Sequence, residues 1–300
     1  MRIAVVGTGI SGNAAAWTLS KHYPVTVYDR ELRPGGHSHT VSIDYDGTQL
    51  AVDIGFIVYN ELNYPDLKAL FAHLGVDTIE SCMSFAVTRT PAASSGKAAA
   101  TTGSRPRADC SRRPATCCRP PISGCCATSS PSTSRASRTA DDRERAILGA
   151  IGYSPNTIYL HRDTSLMPKR RRAWASWNFL RWPRRESVAN DVSVTYWMNE
   201  LQGIDPDKPL FVSLNPPVAP DPALTFGKYL CEHPQYNAAA FAAQKRLPEI
   251  QGRRHTWFCG AWTGYGFHED GLRSGLAVAE ALGAVAPWRQ APPELAEAAE

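Results

Sequence analysis

An α/β fold is predicted by three features of this 300-residue chain. A short β-branched strand at 3–6 runs through a glycine-rich turn into a helix of small and apolar residues. A second strand follows at 25–28. Near the far end, an apolar run at 256–259 passes through another glycine-rich crossing into a helix at 271–282. Strand, turn, helix and strand in that order form a parallel βαβ unit. The apolar fraction of 43% and charged fraction of 20% suit a globular core, and the length allows one large or two modest domains.

Taken in order, Gly7, Gly9 and Gly12 interrupt what would otherwise resemble a leader sequence, so none is read there. No apolar run is long enough to span a bilayer, and a cytoplasmic protein is expected. The stretch 41–53 reads as a hairpin about Asp46-Gly47. Pro65 opens a helix with the apolar stripe Leu67, Leu70, Phe71 and Leu74, closed by Gly75. Beyond the middle of the chain, helices are expected at 143–150 and 238–247. Strands are expected at 157–161, 173–178 and 210–214. The end from 287 is Pro/Ala/Glu-rich and reads as a loose tail.

The stretch 88–138 is chemically unlike its surroundings. It holds nine Lys or Arg against one Asp, a net charge of +8 in a chain of net +4. Ile122 is its only large aliphatic residue, so it cannot bury enough apolar surface to offset its ordering entropy and is expected to be disordered. Its cysteines, Cys110, Cys117, Cys118, Cys125 and Cys126, lack the spacing of a zinc knuckle. Its basic residues lack the aromatics of a nucleic-acid arm. The composition is that of a GC-rich gene translated out of phase: every Cys-Cys pair conceals an NTG leucine codon beginning at its third base. A stop codon in that frame of the gene would refute this reading.

Gly7-Thr8-Gly9-Ile10-Ser11-Gly12 has the strand before it and the helix after it that a dinucleotide site requires. Gly7 makes the turn, Gly9 admits the diphosphate and Gly12 lets helix and strand approach. Asp29 ends the second strand, where a carboxylate accepts from ribose hydroxyls. The choice of FAD over NAD rests on two further features. One is the loop Arg33-Pro34-Gly35-Gly36-His37, whose arginine can pair with a phosphate. The other is the C-terminal crossing, whose helix N-terminus suits the electron-rich end of a reduced flavin.

These motifs resemble those of the flavin-containing amine oxidases and their protoporphyrinogen-oxidase and carotenoid-desaturase relatives. The likeness spans 1–87 and about 141–285, including the stretches 53–60, 170–178 and 264–275. It implies an FAD-binding Rossmann-like domain made from both chain ends, with a reduced, partly antiparallel substrate portion and a disordered insert. The implied division is 1–87 for the first half of the FAD-binding domain, 88–140 for the insert, 141–250 for the shortened substrate domain, 251–286 for the second half and 287–300 for a flexible tail. The expected cofactor-binding set is Gly7, Gly9, Ile10, Ser11, Gly12, Asp29, Arg30, Arg33, Gly35, Gly36, His37, Gly260, Asp270, Gly271 and Leu272. Two positions depart from the pattern: Ala261 stands where many relatives carry Asp, and His37 where amine oxidases carry Arg.

The resemblance implies hydride transfer from a small-molecule or lipid-like substrate to FAD. An NAD(P)-dependent dehydrogenase and an inactive flavoprotein remnant are the alternatives. No catalytic side chain is named, and no metal or nucleic-acid partner is expected. Lys169, Arg170, Arg171 and Arg172 read as a solvated loop, and His268, Glu269 and Asp270 as a helix start rather than a metal cluster. His37 and His39 read as loop contacts, with flavin attachment or proton shuttling as the alternative. Trp262, Tyr265 and Phe267 are candidates for the flavin face or for core packing.

Overall fold

The computed structural model describes residues 1–89, 115–118, 140–183 and 190–290. The disorder expected over 88–140 therefore falls mostly outside the described residues, as does the tail from 291.

Strand β1 (Ile3–Val6) pairs in parallel with β2 (Val25–Tyr28), in register from Ile3↔Val25 to Val6↔Tyr28. Between them runs α1 (Ile10–Leu19), buried at every position except Trp17. A helix buried all round needs cover on more than one side. β1 supplies one side and α6 (His268–Ala281), from the far end of the chain, supplies another. Ala15 and Leu19 pack with Ala279 and Ala284, while Ile10 and Ala14 pack with Leu272 and Leu276. Both ends of the chain thus share one core.

The hairpin β3 (Thr40–Tyr45) and β4 (Thr48–Asp53) turns at Asp46 and Gly47, whose φ values of 50° and 85° are the two positive angles of a tight hairpin loop. A sheet of β5 (Val58–Tyr59), β8 (Ala115–Cys118) and β6 (Thr78–Ser81) is antiparallel, with β8 in the centre. β8 lies inside the span expected to be disordered. Helix α2 (Pro65–Leu74) starts at the expected proline and ends at Gly75 with φ of 64°. Its first turn has no local cap. Instead the Asp66 and Leu67 N–H groups donate to the buried Glu269 carboxylate of α6, at 3.0 Å each.

The larger sheet has six strands in the order β13-β9-β12-β11-β10-β7, antiparallel except for the β10–β7 pair. These are β7 (Phe85–Arg89), β9 (Tyr153–His161), β10 (Trp177–Pro183), β11 (Asn190–Trp197), β12 (Phe211–Leu214) and β13 (Thr225–Pro234). Ile43, Val52 and Ile57 pack against Leu160, Val212 and Leu201 to form the core beneath it. The shorter helices are α3 (Asp142–Leu148), α4 (Met198–Gln202) and α5 (Ala238–Arg246). The fold is therefore α/β, a Rossmann-like unit joined to a partly antiparallel portion, as the sequence predicts.

Three expectations are corrected. The run 256–259 is not a ladder strand, because a side chain does a neighbouring strand's job: Gln251 Nε2 donates to the Phe258 carbonyl and Gln251 Oε1 accepts from the Phe258 N–H, both at 2.7 Å. The strand expected at 173–178 begins only at Trp177, since Arg171–Ala173 forms a single 3₁₀ turn. The tail from 287 is anchored at its start: Arg289 holds Asp66 through two hydrogen bonds of 2.8 and 2.5 Å, and Trp288 stacks on Trp17.

Candidate dinucleotide site

The site is built where β1 ends. Gly7 has φ of 100°, and its N–H donates to the Tyr28 carbonyl at 2.7 Å, tying the ends of β1 and β2 together. The Thr8 N–H and hydroxyl donate to one oxygen of Asp29 at 2.6 and 2.5 Å, and the Glu31 N–H donates to the other at 2.8 Å. Burial pushes the Asp29 carboxyl up, but these bonds outweigh it and hold the group below its ordinary value. A fixed carboxylate therefore stands beside the turn, as the sequence requires.

Gly35 closes the loop over this turn by donating from its N–H to the Thr8 carbonyl at 3.3 Å. Its φ is 122°, and a β-carbon there would lie 2.6 Å from the Ser38 carbonyl oxygen, so only glycine fits. Gly36 is also left-handed, with φ of 53°. Arg33 donates to the carbonyls of Gly36, Pro34 and Ser38, at 2.6, 3.0 and 3.0 Å, and so braces its own loop. Arg30 is exposed and paired with Glu31 at 3.1 Å. Neither arginine is directed here as an isolated phosphate clamp.

From the other end, α6 crosses α1 at two glycines. A β-carbon on Gly271 would lie 2.5 Å from Ile10 Cγ2, and one on Gly275 would lie 2.2 Å from the Ser11 carbonyl oxygen. Leu272 is fully buried in the shared core with Ile10. Asp270 accepts from the Tyr265 and Phe267 N–H groups at 2.9 and 3.1 Å and fixes the chain entering α6. A β-carbon on Gly260 would lie 2.2 Å from Trp262 Nε1, and the Gly260 N–H donates to Ser274 Oγ at 2.9 Å. Trp262 is core, whereas Tyr265 and Phe267 are exposed.

The helix ends differ in a way that fits a ligand. α3 and α5 are capped by Asp141 and Asn237, and α2 by Glu269. α1, α4 and α6 have no bond from an N-cap side chain, although Asp270 takes the Phe267 N–H at the start of α6. The first-turn N–H groups and positive dipole ends of α1 and α6 remain for an anionic or electron-rich group. Two buried polar atoms beside them, Ser11 Oγ and His37 Nε2, have no hydrogen-bond partner. An orphaned buried hydroxyl costs free energy unless something answers it. The donor set and the Ser11 hydroxyl fit an adenine dinucleotide.

Three histidines gather on the loop side. Burial, then His233 and Arg33, push His37 down to about 4. Burial and then Arg33 push His39, which packs edge-on to Tyr229 with ring centroids 5.6 Å apart, down to about 4. Burial, then His37, pushes His268 down to about 3, and its ring sits 4.0 Å from that of Phe56. All three are neutral at pH 7. His233, on β13, joins them with its ring centroid 5.0 Å from that of His37. The sequence singled out neither His233 nor Cys231. Their signal was the spacing Cys231-Glu232-His233, which puts both side chains on one face of a strand. Lys169, Arg170, Arg171 and Arg172 form exposed surface.

The fold is that of an α/β protein with a Rossmann-like unit. Residues 5–74 match the family model of the NAD(P)-binding Rossmann-like domain. Among solved structures, the chain is similar to a putrescine oxidase variant made in a redesign of cofactor binding, at 11% identity and a TM-score of 0.59, covering 94% of this chain and 99% of that one. It is similar on the same figures to cyclohexylamine oxidase from Brevibacterium oxydans. A CLA-producing fatty acid isomerase from P. acnes also matches, at 11% identity and a TM-score of 0.56, covering 94% of this chain and 98% of that one. Comparison with curated proteins finds no match. The chain has the fold these proteins share, the one its motifs resemble. Among the described residues, no helix is long and apolar enough to cross a membrane.

Proposed function

We infer that the chain is an FAD-dependent oxidoreductase of the amine-oxidase and desaturase type. The observation that carries this reading is the crossing of α6 on α1 at Gly271 and Gly275, which brings two uncapped helix starts to one core. An NAD site of the simplest βαβ kind needs only the first of them. The Rossmann-domain match and the likeness to two amine oxidases support the same reading.

When bound, the flavin supplies hydride acceptance at N5. The first-turn N–H groups of α1 would hold the diphosphate, and Asp29 would orient the ribose. An acid there disfavours a phosphorylated ribose. The start of α6 would hold the electron-rich end of the flavin. His37 offers a neutral imidazole whose buried Nε2 has no partner. The six-stranded sheet supplies the substrate side, and small amines or lipid-like molecules are the substrate class. A second reading, a flavoprotein remnant without turnover, is favoured by one observation. The parallel sheet has only two described strands, and Val6, Val27 and Tyr28 on it are exposed.

Anaerobic mixing of the FAD-loaded protein with aliphatic amines and with unsaturated fatty acids separates the two. Bleaching of the flavin absorption by one class is expected from an oxidoreductase. A flavin that stays oxidised with every substrate yet bleaches with dithionite would leave the remnant reading standing.

A further inference from the structure

At the edge of the dinucleotide-binding elements, and sharing His37 with them, stands a second cluster. β13 alternates, with Lys228, Leu230 and Glu232 exposed and Tyr229, Cys231 and His233 turned inward. The loop after Gly36 lies against this inner face, bringing His37 to Cys231 and His233. Ligand atoms of the three lie within 4.8 Å of one another. We propose that His37, Cys231 and His233 form a binding site for a borderline-soft divalent transition ion, zinc foremost.

The donor chemistry selects the class of ion. Two imidazoles and a thiol suit zinc, cobalt or nickel and are poor partners for magnesium or calcium. A tetrahedral ion with metal–nitrogen bonds of about 2.0–2.1 Å and a metal–sulfur bond of about 2.3 Å holds its ligands roughly 3.5 Å apart. Cys231 Sγ and His233 Nδ1 are already 3.8 Å apart, so closing the cluster takes side-chain rotation of about 1 Å. Both imidazoles are neutral at pH 7, with lone pairs available. Burial, then Glu232, pushes the Cys231 thiol up to about 11, so the thiol gives its proton to solvent as the sulfur–metal bond forms. No redox change is involved.

His37 Nε2 is buried without a partner, an independent sign that something belongs beside it. His233 Nδ1 accepts from Asn156 Nδ2 at 2.8 Å. That amide also donates to the Ser154 carbonyl at 3.0 Å, so capture of Nδ1 by an ion costs the amide one of two bonds. Three protein ligands leave a fourth position open, the arrangement of a reactive rather than a sealed zinc site. The proposal does not rest on the flavin reading.

The test is cobalt titration of the full chain after chelation, under reducing conditions without added thiol. One cobalt per chain is expected, with a thiolate-to-cobalt charge-transfer band and tetrahedral d–d bands, displaced by zinc. Cys231→Ser removes the charge-transfer band and weakens binding by at least about 100-fold, the upper end of the cost of losing a mere supporting hydrogen bond. A band retained in full by Cys231→Ser assigns the ion to other thiols, Cys82, Cys259 or those at 110–126, and overturns the proposal. So does the absence of saturable binding. If Cys231→Ser fails to fold, His233→Gln stands in: the same loss of affinity is expected, and unchanged affinity overturns the proposal. Flavin absorption in the same samples separates failure here from failure of the flavin reading.

Discussion

A β-carbon on Gly275 would lie 2.2 Å from the Ser11 carbonyl oxygen, a backbone atom that cannot swing aside. Gly275→Ala must therefore push α6 away from α1. Overpacking of this kind costs about 1–3 kcal/mol. Thermal unfolding should show a midpoint several degrees lower, and FAD affinity should fall with it. Gly152→Ala is the control, because nothing lies within 4 Å of the added methyl. Equal behaviour of the two variants would show that the crossing is not tight. At this scale the sequence was most legible where a residue acts locally. The spacing of Gly7, Gly9 and Gly12, the acid at Asp29 and the turn at Asp46-Gly47 all carry their meaning within a few residues or one βαβ unit. Arg33 and His37 were less legible, since what they touch is set by how their loop folds back and by a strand near residue 231.

Elements were legible where the buried face is apolar, and were missed where it is not. α2 shows both its proline start and its glycine stop, and was readable. β11 alternates cleanly, yet Ser193 and Thr195 are its most buried members and Val192 is exposed. Its inner face is polar because it hydrogen-bonds: Ser193 donates to the Leu214 carbonyl at 2.9 Å, and Thr195 and Ser213 share a hydrogen at 2.7 Å. β13 hides itself in the same way, with Leu230 pointing outward, 77% exposed. α4 is too short for any period.

That polar network ends in His161, fully buried. The Asp163 N–H donates to its Nδ1 at 3.2 Å, so Nε2 carries the proton and donates to Ser213 Oγ at 2.8 Å. Burial pushes His161 from an ordinary 6.5 down to about 4, against the opposing pull of Asp163. A base with a lowered folded pKa contributes stability that is fully present above 6.5 and is lost as pH falls through about 4. The loss is about 3 kcal/mol. His161→Gln keeps a donor for Ser213 but cannot protonate. Between pH 7 and pH 4 its unfolding free energy should therefore fall less than the parent's by roughly that amount. Parallel pH curves would mean that His161 is not neutral in the fold.

At the scale of the molecule, the two ends of the chain are interlocked three times over: α6 packs on α1, Glu269 caps α2, and Arg289 clasps Asp66. Fold class followed from the sequence because glycine-rich turns lead into a helix at both ends of the chain, and those helices pack on each other in one core. The order of the six-stranded sheet did not follow, because its pairings join strands distant in sequence and its buried faces mix polar with apolar residues.

If both chain ends grip one FAD molecule, the spectrum of the full-length protein after incubation with FAD and removal of the excess shows it. A yellow protein retaining one flavin per chain is expected, and NAD(H) should not shift its unfolding midpoint. A colourless protein that NAD(H) protects against heat would contradict it.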